Sequence, residues 1–285
     1  MKVLVTGAAG ILGQAVVAQA ARAYDVVGID LADGDLTHPA TGPELLATHR
    51  PDHVIHCAAY TAVDRAESEP ELALRVNGEA TAHLARACAA HGAVLAYLST
   101  DYVFAGENPA GYAENDPRDP VNQYGLSKAR GEEAVEELAG AWQIIRTSWL
   151  FGDGPVNFVR TIRRLLNERD TLSVVADQRG CPTYTEDLAV LLVWLAGSGL
   201  RGRLHGTNAG VTTWFEFAGE IARASGHDPE RIRPCATADY PTPARRPACS
   251  ILRDTRLGLA GAPPRPQWQD ALRRHVAVLE RTGEG

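Results

Sequence analysis

Lys2-Val3-Leu4-Val5-Thr6-Gly7-Ala8-Ala9-Gly10-Ile11-Leu12-Gly13 opens the chain, and its reading decides the fold. The apolar run from Lys2 to Thr6 has the length and composition of a short strand. Ala15, Val16, Ala18, Gln19 and Ala20 then continue with a helical pattern. Between strand and helix stand Gly7, Gly10 and Gly13, with Ile11 and Leu12 among them. Glycines there permit a tight turn and a close approach of backbone to a pyrophosphate, which sits on the helix N-terminus. Strand, glycine turn and helix in that order predict the first unit of a doubly wound parallel sheet of the Rossmann type. A glycine-rich turn without a ligand is the alternative.

Working outward, a second strand is expected over Val26 to Asp30, its terminal acid twenty positions after Gly10. An acid at that spacing can accept hydrogen bonds from adenosine ribose hydroxyls; otherwise Asp30 is a solvated strand end. No Arg or Lys lies between Asp30 and Thr48. That favours NADH over NADPH, unless a basic residue arrives from elsewhere in the fold. Asp35 and Leu36 follow as further candidate cofactor neighbours. The third strand, Val54 to Cys57, runs into Ala58-Ala59-Tyr60-Thr61, where small residues let a dinucleotide lie close. A long helix is expected from Glu71 to Ala90, carrying Asn77, and a fourth strand from Val94 to Leu98. That strand ends in Ser99-Thr100-Asp101, and a hydroxyl at the carboxyl end of a strand is well placed to bond a substrate carbonyl. Tyr124 and Lys128 stand one helical turn apart. An ammonium at that spacing is expected to lower the phenol from its usual pKa of about 10, so that Tyr124 can pass a proton to a substrate oxygen.

The G-x-x-G-x-x-G spacing resembles the extended branch of the short-chain dehydrogenase/reductase superfamily. Ser99-Thr-Asp-Tyr-Val-Phe104, Tyr124-x-x-x-Lys128 and Arg146-Thr-Ser-Trp149, in that order, resemble the dTDP-4-dehydrorhamnose reductase family more closely. So do Thr61 to Pro70, Asp177-Gln178 with Gly180 and Pro182-Thr183, Thr212-Thr213-Trp214, and Tyr240 to Pro247. The resemblance implies hydride transfer from NADH or NADPH to C4 of a 4-keto-6-deoxy sugar nucleotide, with Tyr124 as proton donor, Lys128 holding the nicotinamide ribose, and Thr100 on the carbonyl. It also implies Asp101 beside the sugar and Trp149 as a flat wall for it. Arg245 and Arg246 could clamp the diphosphate, since guanidinium groups suit phosphate oxygens, or could be a solvated loop. Trp214 could stack on a base or simply pack. Some relatives are described as magnesium-bridged dimers that use an acid in the first helix. Gln14-Ala15-Val16 has none, so no metal is expected.

Dehydratases of the same branch usually carry Thr-Asp-Glu after the fourth strand, whereas Thr100 is followed by Asp101-Tyr102. Net reduction is therefore expected. Another deoxysugar-nucleotide 4-ketoreductase or an epimerase is the alternative enzyme. A dinucleotide-binding regulatory subunit is the alternative of another class, and an intact Thr100, Tyr124 and Lys128 weigh against it.

Bulk properties agree. The 285 residues are 45% hydrophobic and 22% charged with net charge −7, which argues against a nucleic-acid surface. No apolar run approaches the ~18 residues of a membrane span, and Met1-Lys2 leads straight into the first strand, so a cytoplasmic setting is expected. Five scattered cysteines suggest reduced thiols. Residues 1–150, with later returning segments, should form the dinucleotide-binding domain, and 151–285 mainly a smaller interleaved nucleotide-sugar lobe. In that lobe Thr213, with Glu216 at the capping-box spacing, is expected to start a helix running to Ser225, and Pro234 to Pro247 to be a proline-rich loop. A homodimer is admitted, not required.

Overall fold

The chain builds one wholly parallel six-stranded sheet flanked by helices, and three two-stranded ribbons. The structure, a computed structural model, describes residues 1–283. In chain order the first half comprises β1 (Lys2–Thr6), α1 (Ile11–Ala20), β2 (Asp25–Ile29), α2 (Thr41–His49), β3 (His53–His56), α3 (Val63–Ala66), α4 (Pro70–Leu74), α5 (Ala80–His91), β4 (Val94–Thr100), α6 (Gln123–Leu138) and β5 (Ala141–Thr147). The second half comprises β6 (Leu150–Phe151), α7 (Phe158–Glu168), β7 (Leu172–Val175), β8 (Arg179–Gly180), β9 (Thr183–Tyr184), α8 (Thr185–Ser198), β10 (Gly202–His205), β11 (Thr212–Thr213), α9 (Trp214–Ala224), β12 (Ile232–Cys235) and α10 (Trp268–Thr282).

Across the main sheet the order is β10-β5-β4-β3-β1-β2. The chain steps from β1 to β2, then crosses back to β3 and proceeds the other way. That reversal opens a crevice over the carboxyl ends of β1 and β3, where open α/β sheets bind ligands. The turns leaving those two strands touch there. Gly7 has φ +69°, and a Cβ on it would stand 2.5 Å from the Ala58 nitrogen. Only glycine fits.

Alternation along β1 sends Val3 and Val5 into one layer and Leu4 into the other. The first layer packs Leu12 and Val16 of α1 on Leu188 and Leu192 of α8. The second joins Leu46, Val54, Leu84, Leu95 and Ile144. A separate cluster holds Phe151, Val159, Ile162, Phe217, Ile221, Trp268 and Leu272 together. Because α8 and β10 return to the main sheet, this C-terminal lobe is interleaved with it, as expected.

Two segments differ from the sequence reading. The helix expected over Glu71 to Ala90 is α4, a π-helical turn at Arg75–Glu79, and α5. The wide turn carries Asn77, whose Oδ1 accepts the Tyr60 amide at 2.9 Å. Its Nδ2 donates to the Tyr60 carbonyl at 3.0 Å and to Ser127 Oγ at 2.9 Å. Tertiary hydrogen bonds thus set the local helix geometry. Pro234, expected in a loop, lies in β12, paired with β7; a two-stranded ribbon leaves a free edge that tolerates proline. The five cysteines are all free, and no helix among the described residues is long and apolar enough to cross a membrane.

Four histidines are buried: His53, His56, His205 and His275. Burial lowers His53, His205 and His275 from 6.5 to about 4, and His56 to about 3. The unfolded chain takes up protons first, so stability is whole above pH 6.5 and falls as pH drops toward 4. A fall from 6.5 to about 4 amounts to about 3 kcal/mol per histidine once both states are charged. Thermal midpoints are therefore expected to decline steadily from pH 6.5 to 4; a flat profile would contradict the neutral burial of these rings.

Candidate active site

A cavity of about 950 Å³ lies over the carboxyl ends of β1 to β5. On one side it is lined by Gly7, Gly10, Ile11, Leu12, Gly13, Asp30, Asp35, Leu36, Ala58, Ala59 and Thr61. On the other stand Thr100, Asp101, Tyr124, Lys128 and Trp149. Of the residues expected to bind cofactor, Tyr60 is outside the lining. Its backbone is held by Asn77, and its hydroxyl donates to Glu69 Oε2 at 2.6 Å. Arg245 and Arg246 are outside it as well. Arg246 donates to Asp64 Oδ2 at 2.8 Å, and Arg245 is exposed, 3.6 Å from Glu107.

The first side is shaped for an anion. A Cβ at Gly13 would stand 2.0 Å from the Gly7 carbonyl oxygen, so the turn closes only on glycine. Gly10 caps α1 without a side chain, and no acid lies in the first turn. The amide groups at that helix end are thus left for a negative ligand. Asp30 Oδ2 accepts the Ala9 amide and Oδ1 the Leu31 amide, each at 2.8 Å. These bonds aim the carboxylate at the cavity rim. Asp35 accepts hydrogen bonds from Thr37, which hold its carboxyl below the usual range, with smaller help from His38 and Arg75. The residues present fit a dinucleotide.

On the other side, β4 delivers Thr100 and Asp101, and α6 delivers Tyr124 and Lys128. Asn122 starts α6 by accepting the Gly125 amide at 2.8 Å. Thr100 donates its hydroxyl to Asp101 Oδ1 at 2.9 Å and accepts the Tyr102 amide at 3.2 Å. Asp101 Oδ2 is buried without a hydrogen-bond partner, and burial raises its carboxyl to about 6. The Tyr102 ring stands edge-on to Tyr124, centroids 5.7 Å apart.

The expectation that Lys128 lowers the Tyr124 pKa is corrected here. Burial raises the Tyr124 phenol to about 12, with Thr100 pulling it down and Asp101 pushing it up. Lys128 is buried too, which lowers its ammonium to about 7, the Glu132 carboxylate opposing. Its Nζ lies over the Tyr97 ring, 4.1 Å from the centroid. Burial weakens this ammonium, and it faces another ring. Desolvation outweighs the pairing that the spacing suggests.

Beneath the site is an ion pair the sequence reading missed. Arg146 and Glu132 are both fully buried, joined by bonds of 2.8 and 2.7 Å. Ser99 Oγ donates to Glu132 Oε1 at 2.5 Å, and Arg118 reaches Oε2 at 3.1 Å. The pair ties α6 to β4 and β5 and so sets where Tyr124 and Lys128 stand. The i,i+4 spacing of Lys128 and Glu132 was a visible signal; the partner on β5 was not. Trp214 also lines the cavity, as do Thr37, His56, Tyr102, Thr147 and Ser148. Among the described residues, no three His, Cys, Asp or Glu side chains are grouped to hold a metal ion.

A family model described as RmlD substrate binding domain matches residues 1–281. A dTDP-4-dehydrorhamnose reductase of Streptomyces griseus is 46% identical over 283 residues, covering 97% of this chain and 93% of its own. A probable dTDP-4,6-dihydroxy-2-methyloxan-3-one 4-ketoreductase of Streptomyces antibioticus is 42% identical over 278 residues, covering 96% and 94%. Among solved structures, a dTDP-4-dehydrorhamnose reductase from Bacillus anthracis in complex with NADP superposes with a TM-score of 0.93 at 40% identity, covering 96% of this chain and 98% of that one.

Proposed function

The chain belongs to the RmlD substrate binding domain family, and on that footing we propose that it reduces the C4 ketone of dTDP-4-dehydro-L-rhamnose to dTDP-L-rhamnose with NADH or NADPH. The observation that carries the reading is the shared cavity: the glycine turn, Thr100, Tyr124, Lys128 and Trp149 all line it. The bound dinucleotide would supply the hydride; placement and proton handling fall to the protein. Gly7, Gly10 and Gly13 would hold its pyrophosphate at the start of α1, with Asp30 and Asp35 at the ribose rim. Tyr124, kept un-ionised by burial, holds its proton at neutral pH and gives it to O4 as negative charge develops there. Thr100 can turn its hydroxyl from Asp101 to the same oxygen by rotation about one bond, a positioning role. Lys128 is the ammonium on the ribose side, and Glu132 helps to keep it charged.

Residues 1–150 then serve mainly the dinucleotide and residues 151–285 mainly the sugar nucleotide, with Asp101 and Trp149 at the sugar. Arg246, with Nη1 buried and lacking a hydrogen-bond partner, and Arg245 are the diphosphate candidates. The NADH preference expected from Asp30 is weakened by the Bacillus anthracis relative, whose structure is a complex with NADP. A second reading, 4-keto reduction of a different deoxysugar nucleotide, draws support from the Streptomyces antibioticus relative.

The test is stoichiometric oxidation of NADH and NADPH with dTDP-4-dehydro-L-rhamnose, the C4 configuration of the product being assigned by NMR. Turnover yielding dTDP-L-rhamnose is expected. No absorbance change with that sugar, or the opposite C4 configuration, would shift the assignment to the second reading.

A further inference from the structure

The wall that Trp149 would offer a sugar is covered. Its indole stacks on that of Trp214 with centroids 3.5 Å apart and planes 7° from parallel, although both residues line the cavity. Trp149 has no room to recede. Its backbone is held at φ +50°, a left-handed conformation unusual for a bulky residue. Gly180 stands against the ring so closely that a Cβ there would lie 2.4 Å from the indole Cε2. Trp214 is placed differently. It is the first residue of α9, after the Thr213 cap, with the Phe158 ring 4.5 Å away at 53°. A side chain in the first turn of a helix has no preceding helical turn to crowd it, so Trp214 can swing while Trp149 stays.

We infer that Trp214 is the second wall of the sugar subsite: the deoxysugar enters by parting the stack and lies between the two indoles. The inference rests on the sugar-nucleotide reading above. A 6-deoxy sugar presents C–H groups and a methyl in place of a hydroxyl, and their positive edges suit the negative face of an indole. In the free protein the closed stack shields both apolar faces from water. With the sugar between the indoles the base lies elsewhere, so a nucleoside diphosphate alone leaves the stack closed; a stack parted by dTDP would give Trp214 to the base and overturn the inference. Trp214 thereby selects the ligand for its sugar, beyond what the nucleotide contributes.

Indoles stacked at this spacing couple their electronic transitions, and rotation of one ring over the other about the stacking axis makes that coupling an exciton couplet in circular dichroism. The experiment titrates wild-type protein with dTDP-L-rhamnose and, separately, with dTDP, following the couplet while calorimetry measures binding. The couplet is expected to collapse as dTDP-L-rhamnose saturates and to persist with dTDP. Trp214→Ala should lack the couplet and bind dTDP-L-rhamnose about tenfold more weakly, with dTDP affinity unchanged; Trp214→Phe should recover most of the loss. A couplet intact in the dTDP-L-rhamnose complex overturns the inference alone, as does unchanged or tighter binding by Trp214→Ala. If wild type fails to bind dTDP-L-rhamnose at all, the sugar-nucleotide reading falls first and takes the inference with it. The wild-type titration stands even if the alanine variant does not fold.

Discussion

Tyr124→Phe lowers kcat by roughly 10²–10⁴-fold and leaves dinucleotide affinity nearly unchanged. One oxygen is lost, and with it the proton that would meet the new alkoxide. The ring itself stays, including its edge contact with Tyr102, so the cavity keeps its shape. Because Thr100 donates to Asp101 rather than standing in for the phenol, no neighbour is already aimed to take over. Single-turnover kinetics with saturating dinucleotide read the chemical step directly. Turnover equal to wild type would sink the assigned proton path.

Gly13→Ala is expected to act on the other half of the site. The added methyl would meet the Gly7 carbonyl oxygen at 2.0 Å and the Ala8 Cα at 2.8 Å, both backbone atoms of the same turn. Neither can rotate away as a flexible side chain would, so the turn must open. Overpacking of this kind typically costs about 1–3 kcal/mol, which taken from binding is roughly a 5–150-fold loss of dinucleotide affinity. Calorimetric titration with NADPH measures it, and a parallel thermal melt separates it from unfolding. Wild-type affinity in a folded Gly13→Ala protein would show that the glycine turn does not hold the pyrophosphate.

The strand–turn–helix opening and the alternation of strands with helices could be read from local pattern, because each rests on residues close in sequence. The same holds for the capping box of α9, where Thr213 and Glu216 satisfy each other as their spacing suggested. What could not be read depends on who lies across the gap. Lys128 and Tyr124 stand one turn apart as expected, yet the sign of the phenol shift is set by burial, and the Lys128 ammonium lies over Tyr97, a residue of β4. Glu132 meets Arg146 only because α6 packs on β5. Arg246 shows the same limit: its partner, Asp64, lies 182 positions away. Charged residues in an Arg-Arg pair carry no mark of whether an acid will claim them first.

The π turn at Arg75–Glu79 makes part of this site a matter of counting. In an α-helix each residue turns the chain by about 100°, and a π turn stores one residue more than the regular spiral needs. Deleting one of the four positions around Asn77 would let the helix run straight with α4 and α5 nearly in register, but the wide turn would close and Asn77 would no longer be held out toward Tyr60 and Ser127. The bond between the loop after β3 and the helix of Tyr124 therefore tolerates change of residue type around it better than change of length. Insertions and deletions, usually cheap in an exposed loop, are the changes this segment is least able to absorb.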